Sequence, residues 1–288
     1  MKRPRRGGPA QYDERLARAR ELVDTPGVEH PMRVLVEVLA HQQRRAEDPT
    51  VVAASALLRA PTEQRAAAAT YPLVDAADIA DPVDGEVVVA IDALVPVSRL
   101  PPPLMTAAGA LGDHGLRAAA VAQWLVDPAL PDPAVGFWIN VAAQPVFELA
   151  AIGAPVPRRE HWAAAACPVC GAAAQVSIIA EESGEFMAGS PRSLWCSRCA
   201  ADWTYPRARC VSCGEDDARR VGSWIADVWP TARIESCDTC RGYIKTFDLR
   251  ERGGVDVVPL VDDVASATLD LWATGRGLQR SVRSLAGV

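Results

Sequence analysis

The eight cysteines of this chain all lie between positions 167 and 240 and form four Cys-x-x-Cys pairs. The pairs are Cys167/Cys170, Cys196/Cys199, Cys210/Cys213 and Cys237/Cys240. Two thiolates three positions apart in a tight turn can reach one cation, and two such turns complete the tetrahedral four-sulfur shell preferred by zinc and by rubredoxin-type iron. The first two pairs are separated by 25 residues and the last two by 23, whereas only 10 residues separate the second pair from the third. This spacing predicts two sequential four-cysteine sites, while an interleaved arrangement, in which the first and third pairs share an ion, stays open.

The residue types in this region favour a structural role over a catalytic one. A closed four-cysteine shell leaves no coordination position for a substrate, so it is typical of a scaffold or, at most, of an electron-transfer or sensing site. A disulfide framework is disfavoured because the chain is long and shows no secretory signal. The sequence shows no Ser/His/Asp set, phosphate loop or dinucleotide fingerprint, and we therefore predict no catalytic residue and no enzyme activity. Four scattered histidines without ligand spacing are interpreted as surface or hydrogen-bonded residues: His30, His41, His114 and His161.

Composition excludes two further classes of protein. The formal net charge is −6, and residues 161–250 contain ten Arg/Lys against eleven Asp/Glu, so the cysteine region is not a basic nucleic-acid surface. The apolar stretch 135–152 is interrupted by Asn140, Gln144, Pro145 and Glu148, which predicts a buried core helix and no membrane insertion. With 49% hydrophobic residues in 288, we expect a soluble, cytoplasmic protein with a substantial core.

The elements that must position the cysteines are mainly helical before residue 160. Helical patterns cover 13–23, 32–43, 51–58, 63–69, 104–126 and 134–151. The β-branched residues 86–97 are interpreted as an extended connector, with a strand as the alternative, because Pro96 and the following prolines end the segment. Strands are predicted at 175–180, 221–225 and 243–249, and a helix at 261–272 offers Leu269 and Trp272 to the helical half.

Tryptophans supply the apolar mass that small metal ribbons lack. Trp195, Trp203, Trp224 and Trp229 lie among the cysteines and are interpreted as packing residues, with partner contacts as the alternative.

The predicted fold class is α+β, a mainly helical N-terminal domain followed by tandem rubredoxin-like or zinc-ribbon modules and a C-terminal helix. The predicted boundaries are 1–160 for the helical domain, 161–205 and 206–250 for the two ribbons, and 251–288 for the C-terminal helix and tail.

Five stretches of the chain resemble the formate dehydrogenase accessory protein family FdhE. They are Cys-Pro-Val-Cys-Gly at 167–171, Leu-Trp-Cys-Ser-Arg-Cys-Ala-Ala-Asp-Trp at 194–203, Arg-Cys-Val-Ser-Cys at 209–213, Glu-Ser-Cys-Asp-Thr-Cys-Arg-Gly-Tyr-Ile-Lys at 235–245 and Val-Asp-Asp-Val-Ala-Ser-Ala-Thr-Leu-Asp at 261–270. The last two are the most specific, because metal binding alone does not demand them. The chain departs from the family at Arg241, where the family tends to place glycine directly after the last cysteine; Gly242 comes one position later.

The resemblance implies a function as well as a fold. Proteins of this family bind the catalytic subunit of molybdenum- or tungsten-dependent formate dehydrogenases and are needed for its activity, without oxidising formate themselves. By resemblance, the chain would hold two iron or zinc ions, each in a four-cysteine site, and act as a maturation factor. The two specific signatures suggest a docking surface at Tyr243, Lys245, Asp262 and Asp263, although one of these aspartates could instead cap the C-terminal helix. The alternative function is a rubredoxin-like carrier of one electron per iron site.

Overall fold

The N-terminal half of the protein is a bundle of helices packed around one central helix. A computed structural model describes residues 9–157, 162–179, 191–250 and 257–287. The helices of this half are α1 (Pro9–Glu21), α2 (Glu29–Ala46), α3 (Pro49–Arg59), α4 (Thr62–Ala67), α5 (Ala80–Leu94), α6 (Pro102–Ala110), α7 (His114–Val126) and α8 (Pro133–Ala151). A short 3-10 helix at Ala76–Ile79 precedes α5. The α8 helix contacts α2, α3, α5, α6 and α7, so it forms the axis of the bundle.

Local sequence explains where several of these helices begin. The side chains of Asp48, Asp113 and Asp132 each accept a hydrogen bond from a backbone N–H in the first turn of α3, α7 and α8. An aspartate in this position satisfies a donor that has no partner inside the helix, and it stabilises the helix by about 1 kcal/mol.

The central helix α8 contains a proline whose effect on the backbone is compensated by a neighbouring helix. Pro145 has no N–H, so the carbonyl of Val141 one turn earlier lacks its usual intrahelical donor. The Gln42 side chain of α2 donates to that carbonyl at 3.1 Å and to the Gln144 side chain at 3.0 Å.

By length and composition α8 could cross a membrane, but 67% of its apolar window is buried inside the protein. It is therefore a core helix, as the polar interruptions predict.

The α5 helix corrects the prediction for residues 86–97. That segment was predicted as an extended connector, and this was wrong: it is helical through Leu94. Val83, Val87 and Ala90 recur at helical spacing and are completely buried, and α5 packs on α7 and α8. Burial of this one face outweighs the low helix propensity of the β-branched residues.

The C-terminal half forms one sheet in which both metal ribbons take part. Its strands are β1 (Ala174–Ile179), β2 (Arg192–Cys196), β3 (Asp202–Thr204), β4 (Val221–Ile225), β5 (Ala232–Cys237), β6 (Gly242–Asp248) and β7 (Gln279–Arg280). The order of the described strands is β3-β2-β1-β6-β5-β4, with β7 also paired to β6. The first ribbon supplies β1 to β3 and the second β4 to β6; they join where β1 and β6 pair in parallel. The α+β architecture with tandem ribbons is thus confirmed.

The C-terminal helical segment differs from its prediction in two ways. It consists of α9 (Pro259–Ala265) and α10 (Ala267–Gly275), separated at Ser266, whose hydroxyl donates to the Asp262 carbonyl. The expected docking of Leu269 and Trp272 on the helical half was wrong. Leu269 packs in a core cluster with strands of the sheet, and the Trp272 ring lies 5.6 Å from that of Trp224. It is α9 that contacts the helical half, through α1 and α2.

Two hydrophobic clusters form the core. The larger runs from the helical bundle into the first ribbon and includes Trp124, Trp138, Cys167 and Trp203. The smaller includes Trp195, Ile234 and Phe247 and lies between the sheet and α10. Trp195 and Trp203 are buried as predicted, whereas Trp224 is 47% exposed. The domain boundary at residue 160 stays a prediction, because the larger cluster contains residues from both sides of it.

His41 is buried in the helical bundle, which corrects its interpretation as a surface or hydrogen-bonded residue. His41 is 2% exposed, and its Nε2 atom has no hydrogen-bond partner. His161 lies outside the described residues. Burial, together with Arg44 and Arg45, lowers the pKa of His41 to about 4.

This lowered pKa predicts a pH-dependent stability. The unfolded chain, in which the pKa of histidine is about 6.5, takes up the proton first, so stability falls as the pH drops from about 6.5 towards 4. We expect His41→Leu to flatten the pH dependence of the free energy of unfolding, measured by urea titration between about pH 7 and pH 5. His114→Gln is the control, because the side chain of His114 is 79% exposed. Equal slopes for the two variants would contradict this prediction.

Candidate metal centres

The structure brings the eight cysteines together in two groups of four, in the sequential pairing. The groups are Cys167, Cys170, Cys196 and Cys199, and Cys210, Cys213, Cys237 and Cys240; within each, the sulfur atoms all lie within 4.8 Å of one another. A tetrahedral shell with metal–sulfur bonds of about 2.3 Å requires sulfur atoms about 3.8 Å apart. Two sulfur pairs of the first group are 3.6 and 3.4 Å apart, and two pairs of the second are both 3.7 Å apart. Both groups therefore fit a zinc or iron ion.

Each Cys-x-x-Cys pair is followed by a residue in the left-handed backbone conformation. The four residues are Gly171, Ala200, Gly214 and Arg241, with φ of 76°, 54°, 77° and 60°. This conformation reverses the chain after the second cysteine, so all four turns have the same form. Arg241 adopts it despite its side chain, which donates to the Arg276 carbonyl at 2.6 Å. The departure from the family at this position therefore leaves the fourth turn intact.

Gly242 is required by the close approach of the two halves of the second centre. A Cβ atom at this position would lie 2.7 Å from the Ser212 hydroxyl and 3.0 Å from the Cys240 sulfur. Such a contact is shorter than packed atoms allow, so the glycine one position after Arg241 has a steric cause.

Backbone N–H groups stabilise the negative charge of three of the cysteine sulfurs. The N–H groups of Arg198, Ser212 and Gly242 point at the Cys196, Cys210 and Cys240 sulfurs at 3.3 to 3.4 Å, where they stabilise thiolates.

In the first group the pKa values of Cys167, Cys170 and Cys199 are shifted in different directions. Burial raises the pKa of Cys167 and Cys199 well above the usual value. Burial also opposes ionisation of Cys170, but hydrogen bonds from the other three thiols bring its pKa well below the usual value. Four thiolates are therefore stable here only around a cation.

The first centre lies in the protein interior, between the sheet and the helical bundle. Its cysteines are at most 4% exposed, and they belong to the larger hydrophobic cluster. The carbonyls of Pro168 and Val169 accept hydrogen bonds from Leu73 and Val74 of the helical half, at 3.0 and 2.9 Å. The Arg198 side chain, 2% exposed, reaches from the second turn of this centre to the end of α7. The first centre thus joins the two halves of the chain.

The second centre lies at the surface of the sheet. Cys213 is exposed and Cys240 partly exposed, whereas Cys210 and Cys237 are buried. Its first turn is held by the Tyr205 hydroxyl, which donates to the Cys210 carbonyl at 3.1 Å, and by Arg209, which donates to the Gly214 carbonyl at 3.1 Å. The two centres therefore share their ligands and turn geometry but differ in their surroundings.

The residues predicted as a docking surface are in the interior, and that prediction was wrong. Tyr243 and Asp262 are each 3% exposed, and Lys245 and Asp263 are completely buried. A side chain without exposed surface cannot contact a partner in this conformation. The two family signatures therefore have an internal role.

Lys245 and Asp263 belong to a buried network of four charges. The Lys245 ammonium lies 2.8 Å from Asp263 and 2.6 Å from Asp270, and Arg280 lies 2.7 and 3.1 Å from the same carboxylates. The Tyr243 hydroxyl donates to Asp270 at 2.9 Å. This network fastens α9, α10 and β7 to β6. The sequence analysis did not identify Arg280, because no motif connects it to the aspartates. Asp270 is the last residue of the 261–270 signature, but no role was predicted for it.

Asp262 is not the N-cap residue of α9, which is Val258, but it holds the start of this helix from its first turn. Its carboxylate accepts from the backbone N–H of Val258, just before α9, at 2.7 Å. It also pairs with Arg18 of α1 at 2.7 Å, so it fastens the start of α9 to the helical half.

A groove with a volume of about 640 Å³ lies between the helical half and the C-terminal segment. Its lining includes Leu35, Leu104, Trp124, Phe137 and Leu285, which come from α2, α6, α7, α8 and the chain after β7. Because the walls come from five separate segments, no sequence motif marks it.

Comparison with known proteins identifies the cysteine-rich part of the chain. Residues 208–285 match the sequence model of the family described as FdhE, C-terminal domain. This part of the chain is similar to the FdhE C-terminal domain. A stretch of 128 residues is 38% identical to "Protein FdhE homolog" of Aquifex aeolicus, covering 44% of this chain and 44% of that protein. A stretch of 111 residues is 40% identical to the FdhE homolog of Shewanella baltica strain OS223, covering 38% of this chain and 35% of the relative. The matched stretch thus spans less than half of either relative.

The likeness to FdhE proteins extends over the whole fold. The crystal structure of the FdhE protein from Pseudomonas aeruginosa superimposes with a TM-score of 0.67, covering 98% of this chain and 97% of that one. The two sequences are 19% identical, so this comparison shows the shared fold. The resemblance to FdhE read from the cysteine motifs and the two C-terminal signatures is confirmed.

Proposed function

We propose that this protein is a cytoplasmic accessory factor in the maturation of formate dehydrogenase, which binds the catalytic subunit and is required for its activity. The observation that carries the proposal is the match of residues 208–285 to the FdhE C-terminal domain, together with FdhE homologs that are 38% and 40% identical over stretches of 128 and 111 residues. The family resemblance supplies the formate dehydrogenase catalytic subunit as the partner, and it supplies a role without formate oxidation by the chain itself.

The two four-cysteine centres suit such a role. We propose that each holds one zinc or iron ion, which would supply a fixed four-sulfur cross-link between two turns. All four positions of a tetrahedral ion are then filled by protein, so the shell offers no site for formate or another substrate. The residues around the ions position turns and strands, which is the work of a scaffold that presents a surface.

The proposal is tested by removing the gene in the native host. We expect formate dehydrogenase activity to fall while the amount of its messenger RNA stays unchanged, because the protein acts after translation. The purified protein is expected to oxidise no formate, and a tagged copy is expected to co-purify with the catalytic subunit. A deletion strain with full formate dehydrogenase activity would refute the proposal.

A rubredoxin-like electron carrier is the second candidate function, and the exposure of Cys213 favours it. Electron transfer between proteins needs a centre close to the surface, and the second centre is accessible there. The discriminating experiment exchanges the metal: a protein loaded only with zinc cannot change oxidation state under cellular conditions. If zinc-only protein restores formate dehydrogenase activity to extracts of the deletion strain as well as iron-loaded protein does, electron transfer is excluded as the function.

A further inference from the structure

We propose that the two metal centres differ in their exchange of metal with solution. The second centre, at Cys210, Cys213, Cys237 and Cys240, releases and rebinds its ion in the folded protein. The first centre, at Cys167, Cys170, Cys196 and Cys199, releases its ion only when the protein unfolds. The inference requires both centres to hold a thiophilic cation and is independent of any role in formate dehydrogenase maturation.

An ion can leave a four-cysteine centre only after the shell of ligands has opened. A chelator takes an ion from a four-sulfur shell stepwise, so at least one sulfur must detach and make room for an incoming ligand. The rate of this step depends on the free energy of the local opening that exposes the ion. Burial of the ligands and the contacts of their turns therefore determine the rate of exchange.

At the first centre, no ligand can detach without opening the core. All four cysteines belong to the larger hydrophobic cluster, together with residues of the helical bundle such as Trp124 and Phe147. The Arg198 guanidinium lies 4.6 Å from the centre of the Trp124 ring and 5.1 Å from that of Phe147, and it closes the side of the second turn. The first turn is hydrogen-bonded to the chain at Leu73 and Val74. Opening this centre separates the helical half from the sheet, which is unfolding of most of the protein.

At the second centre, one ligand is already at the surface. Cys213 is exposed and Cys240 partly exposed, and none of the four cysteines belongs to either hydrophobic cluster. The turn that carries Cys213 is a surface segment, and Cys213 can swing into solvent while Cys210 stays in place through Tyr205. Detachment of this sulfur exposes no hydrophobic core.

The sheet stays closed when the second centre opens. Its other two ligands are Cys237, the last residue of β5, and Cys240, in the turn between β5 and β6. These two strands are paired with each other, β5 also with β4, and β6 with β1 and β7. These backbone pairings persist without the ion. Loss of the second ion is therefore a local event, whereas loss of the first is global.

The test uses the full chain loaded with two zinc ions and mixed with an excess of the chromogenic chelator pyridylazoresorcinol. We expect two phases of equal amplitude, one zinc each, with rates that differ by at least about 100-fold. The slow phase is expected to accelerate steeply with urea, at the rate of global unfolding seen by tryptophan fluorescence, and the fast phase to change little. Release of both ions in one phase, or two phases with the same urea dependence, would overturn the inference.

Variants assign the fast phase to the second centre. Cys213→Ser is expected to abolish the fast phase, to retain one slowly released zinc and to keep the circular dichroism spectrum of the holoprotein. Ser212→Ala changes a residue of the same turn that does not bind the metal, and this variant is expected to keep both phases. Loss of the slow phase in Cys213→Ser, with the fast phase intact, would overturn the assignment. Because the wild-type protein alone shows whether two phases exist, the test does not depend on a variant that folds.

Discussion

Replacement of Arg198 by alanine is expected to destabilise the protein by about 3–5 kcal/mol. The Arg198 side chain donates to the carbonyls of Trp124 and Leu125 at 2.9 and 3.2 Å, and to that of Cys170 at 3.3 Å. The first two carbonyls are in the last turn of α7, where helix carbonyls lack intrahelical donors and a cation is favoured by the helix dipole. A hydrogen bond from a charged group contributes about 1.5–3 kcal/mol, and a desolvated cation–π contact about 2 kcal/mol. Because these contributions are not additive, the expected loss of about 3–5 kcal/mol is smaller than their sum.

Urea denaturation of the metal-loaded protein measures this loss. Arg207→Ala is the control, because it removes an exposed arginine nine positions further along the chain and should change the free energy of unfolding by less than about 0.5 kcal/mol. If Arg198→Ala were no more destabilising than this control, the contact between the first centre and α7 would contribute little to the fold.

Replacement of Lys245 by methionine is expected to destabilise the protein by a similar amount, about 3–5 kcal/mol. The side chain is completely buried, and its removal leaves the carboxylates of Asp263 and Asp270 with Arg280 as their cation. An uncompensated charge in the interior costs more than the pair contributed, because it has lost its hydration without gaining a partner. Adding Asp270→Asn restores the balance of charge and is expected to recover part of the loss.

Thermal and urea unfolding check this result, with Arg59→Met as the control for loss of an exposed cation. The same variants distinguish an internal role from a docking role for the Glu235–Lys245 signature. A docking residue would weaken co-purification with the catalytic subunit and leave stability unchanged. For residues of the buried network we expect the opposite result. Stability falls, and co-purification with the catalytic subunit is lost only to the extent that the protein unfolds.

The sequence alone determined which residues are the metal ligands and the class of fold, and it favoured the sequential grouping that the structure shows. Ligand pairing is a local property: two cysteines in one turn reach the same ion, and the short link after Cys199 separates one ribbon from the next. The α2 helix was predicted for the same reason, since its apolar period depends on neighbours one or two turns away, whereas α8 was predicted from its long apolar composition. The motifs around the cysteines also indicated the FdhE family.

Only the tertiary structure decided what lies beyond the local chain. Residues 86–94 are helical because other helices cover one face of α5, which outweighs their β-branched composition. The parallel pairing of β1 with β6, which joins the ribbons into one sheet, involves strands about 70 residues apart and leaves no local pattern.

Burial separates residues that look alike in the sequence. Lys245 and Asp263 have the composition of a docking surface, yet their charges are paired inside the protein across a gap in sequence. The two metal centres have the same ligands and the same turns, and they differ because the first is covered by the helical bundle and the second is not. A sequence motif specifies which atoms can hold an ion, whereas the packing around it determines how far solvent and partners can reach.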